Sequence, residues 1–110
     1  QLEQLGDRFA VRDLGPEFDA TGGAFMDAAA ILANLDLVVT SDTAVAHLAG
    51  ALGKPTWLAL SLVPDWRWMF DRTDSPWYAS MTLFRQSRLH DWSDVFQRMA
   101  AELSRRFCEP

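Results

Sequence analysis

Between Asp36 and Leu60 the chain switches from strand-like to helix-like patterning and back, and this constrains the fold more than any other feature. Leu37-Val38-Val39 is a short β-branched run without polar alternation, the pattern of a strand buried on both faces. Ser41-Asp42-Thr43 interrupts it with three residues that favour helix caps. Ala44–Leu52 is helical by composition, and Gly53 followed by Pro55 is the usual order of helix stop signals. Thr56-Trp57-Leu58-Ala59-Leu60 is then a further strand of the same unalternated kind. Strands joined by so short a helix argue for a parallel sheet with the helix packed across it.

The flanking sequence extends the same order. Gln1–Leu5 reads as the tail of a helix stopped by Gly6, and Phe9-Ala10-Val11 as a strand with its exit at Leu14-Gly15-Pro16. Glu17–Gly23 carries turn formers, and Ala24–Asn34 is a helix with Phe25, Met26, Ala29, Ile31 and Leu32 on one broad face. Pro64–Ser80 is a long aromatic and charged loop with one short helical turn, and Met81–Phe84 is a last strand. Trp92–Phe107 is a final amphipathic helix with Val95, Phe96, Met99 and Leu103 on one side. No repeat or linker divides residues 1–110, so the expectation is one α/β domain, a parallel sheet with helices on both faces.

Composition narrows the partners. At 110 residues, 49% hydrophobic and 23% charged, the chain is ordinary globular protein. A net charge of -5 disfavours nucleic acid and anionic membrane surfaces. No apolar run approaches the ~20 residues needed to span a bilayer, and no signal-peptide pattern opens the chain. Cys108 is the only cysteine, which excludes an internal disulfide and favours a reducing compartment, so a cytoplasmic location is expected. The start at Gln1, without an initiator Met, reads as a piece cut from a longer protein.

In open parallel sheets ligands bind at the carboxyl ends of the strands. Leu14–Gly23, Thr40–Thr43 and Ser61–Trp68 are therefore expected to meet at one edge. The middle segment puts a helix N-terminus directly after a strand, so Ser41, Asp42, Thr43 and Ala44 frame unpaired N–H groups and the positive end of the helix dipole. Such a terminus suits an anion, and a phosphate is the obvious one. Thr43 and His47 are four residues apart on one helical face, so His47 adds a donor there. The plainer reading is that Ser41-Asp42-Thr43 only caps the helix and His47 only packs. In Pro64-Asp65-Trp66-Arg67-Trp68, Asp65 suits hydroxyl donors and Arg67 suits phosphate oxygens. Here the plainer reading is a satellite cluster of Trp66, Trp68, Trp77 and Tyr78 that pins the loop. Lys54, the only lysine, is expected in solvent. There is no Gly-x-Gly-x-x-Gly, no Walker lysine, no Cys-x-x-Cys and no metal-ligand spacing between His47 and His90. Ser41 is not set in a nucleophile elbow.

The run Asp36-Leu37-Val38-Val39-Thr40-Ser41-Asp42-Thr43-Ala44-Val45-Ala46-His47-Leu48-Ala49-Gly50-Ala51-Leu52-Gly53-Lys54-Pro55 resembles the signature of glycosyltransferase family 9, the group containing the ADP-heptose:lipopolysaccharide heptosyltransferases. Pro64–Trp68, Asp74-Ser75-Pro76-Trp77-Tyr78 and Leu83-Phe84-Arg85-Gln86 resemble a subgroup often joined to tetratricopeptide repeats. The resemblance covers about residues 11–100. It implies a GT-B architecture, two Rossmann-like domains across a cleft, with this chain the carboxyl-terminal, donor-binding one. It further implies a metal-independent glycosyltransferase without a cofactor, its donor a nucleoside-diphosphate sugar. Asp42, Thr43 and Ala44 match positions that hold the diphosphate, and Ala44 stands where heptosyltransferases typically have Gly. His47 matches the signature histidine, and we assign it stabilisation of transition-state charge. The partners implied are the donor and an amino-terminal domain carrying the acceptor side. The fragment alone is expected to be inactive and, through its cut face, to self-associate. The alternative function is a non-catalytic transferase-like module whose Trp-rich loop binds protein.

Overall fold

The computed structural model describes Arg12, Leu14 and residues 25–108. The expected first helix tail, the Phe9–Val11 strand and the Glu17–Gly23 turn lie outside the described residues. The described elements follow the order α1 (Met26–Leu32), β1 (Val38–Ser41), α2 (Ala44–Ala51), β2 (Thr56–Leu60), β3 (Met81–Arg85) and α3 (Ser93–Leu103). A π-helical turn, Ser104–Cys108, extends α3.

The three strands form one parallel sheet in the order β1-β2-β3. Val38 pairs with Thr56 and Thr56 with Met81, so the strands start in step. They also end together: Ser41 lies opposite Ala59, and Leu60 opposite Arg85. This common carboxyl edge is where ligands bind in sheets of this kind.

Alternation along β2 explains why every one of its residues is buried. Leu58 and Leu60 face Ala46 of α2, Trp68, Met81 and Leu83. Trp57 and Ala59 face the other way, against Phe84 and against Val95 and Met99 of α3. Leu32 of α1 joins the α2 side through Val38 and Ala49. Helices therefore cover both faces, as the unalternated β2 sequence requires. Each fully buried large side chain contributes roughly 1.5–3 kcal/mol, so these two layers carry the fold.

Three local expectations are corrected. β1 is not buried on both faces: Val39 is 51% exposed, because β1 lies at the edge of the described sheet and α3 packs on β2 and β3. On α3 only Val95 and Met99 are buried, while Phe96 and Leu103 sit toward solvent. At 100° per residue Phe96 and Leu103 fall on the flank of the Val95–Met99 stripe, beyond the width of the contact with β2 and β3. Lys54 is not simply solvated, since its Nζ donates to the Ala33 carbonyl at 3.1 Å and ties the end of α2 to the end of α1. No helix among the described residues is long and apolar enough to cross a membrane.

Candidate functional site at the carboxyl edge of the sheet

Only Asp42 and Thr43 separate the last residue of β1 from the first of α2. Thr43 is the N-cap residue, in an extended conformation (φ -139°, ψ 176°), and its side chain makes no capping hydrogen bond. Its hydroxyl instead turns back toward the strand, 3.4 Å from the Ser41 carbonyl and 3.5 Å from the Thr40 hydroxyl. Capping thus does not explain Ser41-Asp42-Thr43. The Ala46 N–H bonds the Thr43 carbonyl at 3.0 Å, whereas those of Thr43, Ala44 and Val45 have no acceptor among the described residues. Asp42 is exposed, with no hydrogen bond or ion pair to a described residue. Free N–H groups at the positive end of a helix dipole are suited to a negatively charged oxygen.

His47 lies one turn into α2 and is half-buried. Its ring stacks on the Trp68 indole at 5.3 Å between centroids, with planes 23° apart. Its Nδ1 shares a 3.0 Å hydrogen bond with the Tyr78 hydroxyl. Tyr78 reaches this position because α2 carries glycine at residue 50: a Cβ there would lie 2.5 Å from the Tyr78 ring. Ser75, itself buried, accepts from the N–H groups of Trp77 and Tyr78 at 3.1 and 3.3 Å and shapes the approach of that ring. Tyr78, Gly50 and Ser75 were missed as parts of the site by sequence reasoning. The one available signal was a glycine inside an alanine-rich helix, which usually marks close packing.

Asp65 and Arg67 are brought together. Within a 3₁₀ turn, Trp66–Trp68, Asp65 Oδ1 accepts from the Arg67 N–H at 3.0 Å and from Arg67 Nη1 at 2.9 Å. The Arg67 backbone N–H above all holds the Asp65 carboxyl below its ordinary range; burial opposes it, and the Arg67 side-chain bond, the Arg67 charge and last the charge of His47 add to the lowering. The Arg67 guanidinium lies 4.8 Å from the centre of the Trp66 ring. Each of these two side chains therefore spends part of its capacity on the other. No hydrogen bond among the described residues joins His47 to Ser41, Asp42 or Thr43.

The four aromatic residues of this segment divide by burial. Trp68 is core and Tyr78 packs against the same cluster, as the pinning reading expects. Trp66 is 70% exposed, and the Trp77 side chain, largely exposed, makes one hydrogen bond, from its Nε1 to the Arg67 carbonyl at 2.9 Å. The Leu14–Gly23 segment expected at this edge lies, apart from Leu14, outside the described residues.

The family model of glycosyltransferase family 9 (heptosyltransferase) matches residues 23–60, about a third of the chain. The match takes in α1, β1, α2 and β2, and so contains Ser41, Asp42, Thr43, Ala44 and His47 but neither the 3₁₀ turn nor Tyr78. Over that stretch the chain is similar to a glycosyltransferase. No curated protein and no solved structure matches.

Proposed function

We propose that this chain forms the donor-binding half of a GT-B glycosyltransferase, acting on a nucleoside-diphosphate sugar and a glycan or other acceptor. The observation that carries the reading is the α2 N-terminus. Its uncapped N–H groups stand at the carboxyl edge of a parallel sheet, inside the stretch similar to a glycosyltransferase family. In this reading the diphosphate lies against Thr43 and Ala44. Asp42 and Ser41 border it, and Asp65 and Arg67 face the sugar or nucleotide from the other side of the edge.

The reaction is a displacement at the anomeric carbon. The acceptor hydroxyl oxygen forms a bond to that carbon as the bond to the diphosphate oxygen breaks; the electron pair leaves with the diphosphate, and the hydroxyl proton passes to a general base on the acceptor side, in the amino-terminal half. Charge on that oxygen grows in the transition state, so a fixed helix terminus stabilises it more than it stabilises the bound donor. His47, oriented by Tyr78 and Trp68, supplies further stabilisation. Loss of one such donor typically lowers the rate by about 10²–10³.

Calorimetric titration with ADP, GDP and UDP tests the reading. Saturable binding of one of them, lost in Asp42→Ala, is expected. In the full-length protein His47→Ala is expected to lower turnover, and unchanged turnover would remove His47 from the mechanism. The second reading, a protein-binding module, draws on the exposure of Trp66 and Trp77. It predicts no nucleotide binding and a partner lost in Trp66→Ala.

A further inference from the structure

A separate cleft opens beyond the end of β3, with a volume of about 410 Å³. Three pieces of chain build it: Arg85, Gln86 and Ser87 leaving the strand, Asp94 and Arg98 from the first turns of α3, and Leu62 with Phe70 and Asp71 from the β2–β3 connection. It shares no lining residue with the β1–α2 edge, so it stands whether or not the donor reading does.

Its polar groups are fixed in place yet not used up. Gln86 is only 4% exposed, and its Oε1 accepts from the Leu62 N–H at 2.9 Å. That bond sets the amide, while its Nε2 has no acceptor among the described residues. Arg85 donates through Nε to the Arg72 carbonyl at 3.0 Å and through Nη2 to the Trp68 carbonyl. Its Nη1 makes no bond to a described residue. Arg98 donates through Nε to Asp94 at 2.9 Å and through Nη2 to the Arg85 carbonyl, and its Nη1 is likewise unspent. The Asp71 carboxylate has no hydrogen-bond partner among the described residues.

Phe70 supplies the apolar element. It is 67% exposed, and both its neighbours, Met69 and Asp71, have left-handed backbone conformations (φ 57° and 56°). Neither is glycine, so the segment is held in conformations that disfavour ordinary side chains. At Met69 the positive φ also closes the Trp66–Trp68 turn, its N–H donating to the Trp66 carbonyl at 3.2 Å, whereas Asp71 closes no element. Strain of this kind gathers at ligand sites.

The chemistry of the lining selects a ligand class. Arg85 and Arg98 are balanced by Asp71 and Asp94, so the cleft offers no net field for an anion or a cation. It offers donors and acceptors interleaved beside one exposed ring face. A hydroxyl-rich sugar ring matches both halves: each hydroxyl donates and accepts, and the C–H face packs on an aromatic ring. The geometry points to a pyranose-binding subsite formed by Phe70, Asp71, Arg85, Gln86 and Arg98.

Titration of the ¹⁵N-labelled protein with the methyl glycosides of glucose, galactose and mannose tests this, with inorganic phosphate as the competing probe. At least one glycoside should shift the Gln86 side-chain amide and the Asp71 and Ser87 backbone amides saturably. Phe70→Ala, at an exposed position, should keep the fold and weaken that binding about three- to tenfold, the scale of one aromatic ring contact. Asp71→Asn, which suits the left-handed backbone, should also weaken it. The proposal is overturned if no glycoside gives a saturable shift, if Phe70→Ala leaves the affinity unchanged, or if phosphate rather than sugar saturates these resonances.

Discussion

Two connections meet at the carboxyl edge of the sheet, and different forces hold them. The link from β1 to α2 is two residues long, so strand and helix leave it almost no freedom. Among the described residues its groups remain available: Asp42 has no hydrogen-bond or ion-pair partner there, and the first N–H groups of α2 are uncapped. The link from β2 to β3 runs through residues 61–80 without a helix longer than one turn. Apart from the Asp74–Thr82 bridge and the Leu83 N–H bond to the Thr73 carbonyl at 2.7 Å, it is held by side chains: Trp68 and Tyr78 on His47, Ser75 under the Tyr78 backbone, and the Arg85 guanidinium on the Trp68 and Arg72 carbonyls. The short link thus leaves its polar groups open at the edge, while the long link positions the one histidine of α2.

If the long link is held by side chains, removing its anchors should unfasten it. Trp68→Ala has the largest expected effect. It empties a buried site between α2 and β3 and should cost about 3–5 kcal/mol in urea unfolding. An effect near zero would mean that backbone bonds alone hold the segment. Gly50→Ala comes next, because the new methyl meets the base of the Tyr78 ring and not a flexible tip. Overpacking of this sort costs about 1–3 kcal/mol, and Tyr78→Ala in the same chain should remove most of the penalty. Simple additivity of the two changes would show that the ring does not rest on α2.

These couplings mark where sequence reading stops. β2 was legible to the residue because a run buried on both faces has no polar alternation, and α2 because Gly53 and Pro55 end it. The helix start was legible too, although Thr43 turned out to bond backward to Ser41 and not forward to α2. The His47–Tyr78 bond was not legible, since the two residues lie 31 positions apart and nothing local to either requires the other. Arg67 looked like a free phosphate ligand because its spacing from Asp65 says nothing about a 3₁₀ turn. That turn folds the carboxylate onto it.

Smaller effects sharpen the comparison. Tyr78→Phe keeps the ring on Gly50 and deletes only the hydroxyl, so a loss of about 1 kcal/mol is expected in urea unfolding. Acid should loosen the long link gently. Asp65 is held below its ordinary pKa chiefly by the Arg67 N–H, and Asp74 by the Arg72 side chain. Folded protein therefore binds fewer of these protons than unfolded chain. Their stabilisation is complete above the ordinary carboxylate range and is lost as pH falls through the lower folded values. Amide protection across residues 65–78, taken relative to intrinsic exchange at each pH, should fall over that acid window, and Asp65→Asn should flatten the fall. Unchanged protection would mean that these exposed carboxylates do not hold the segment.

The central claim, that the short link holds a phosphate while the long link orients His47, is tested most directly by ¹⁵N NMR during titration with ADP, GDP and UDP. One nucleotide should shift the amides of Thr43, Ala44 and Val45 saturably, with a smaller response at His47 that Tyr78→Phe alters. Millimolar nucleotide that leaves these amides unmoved would contradict it.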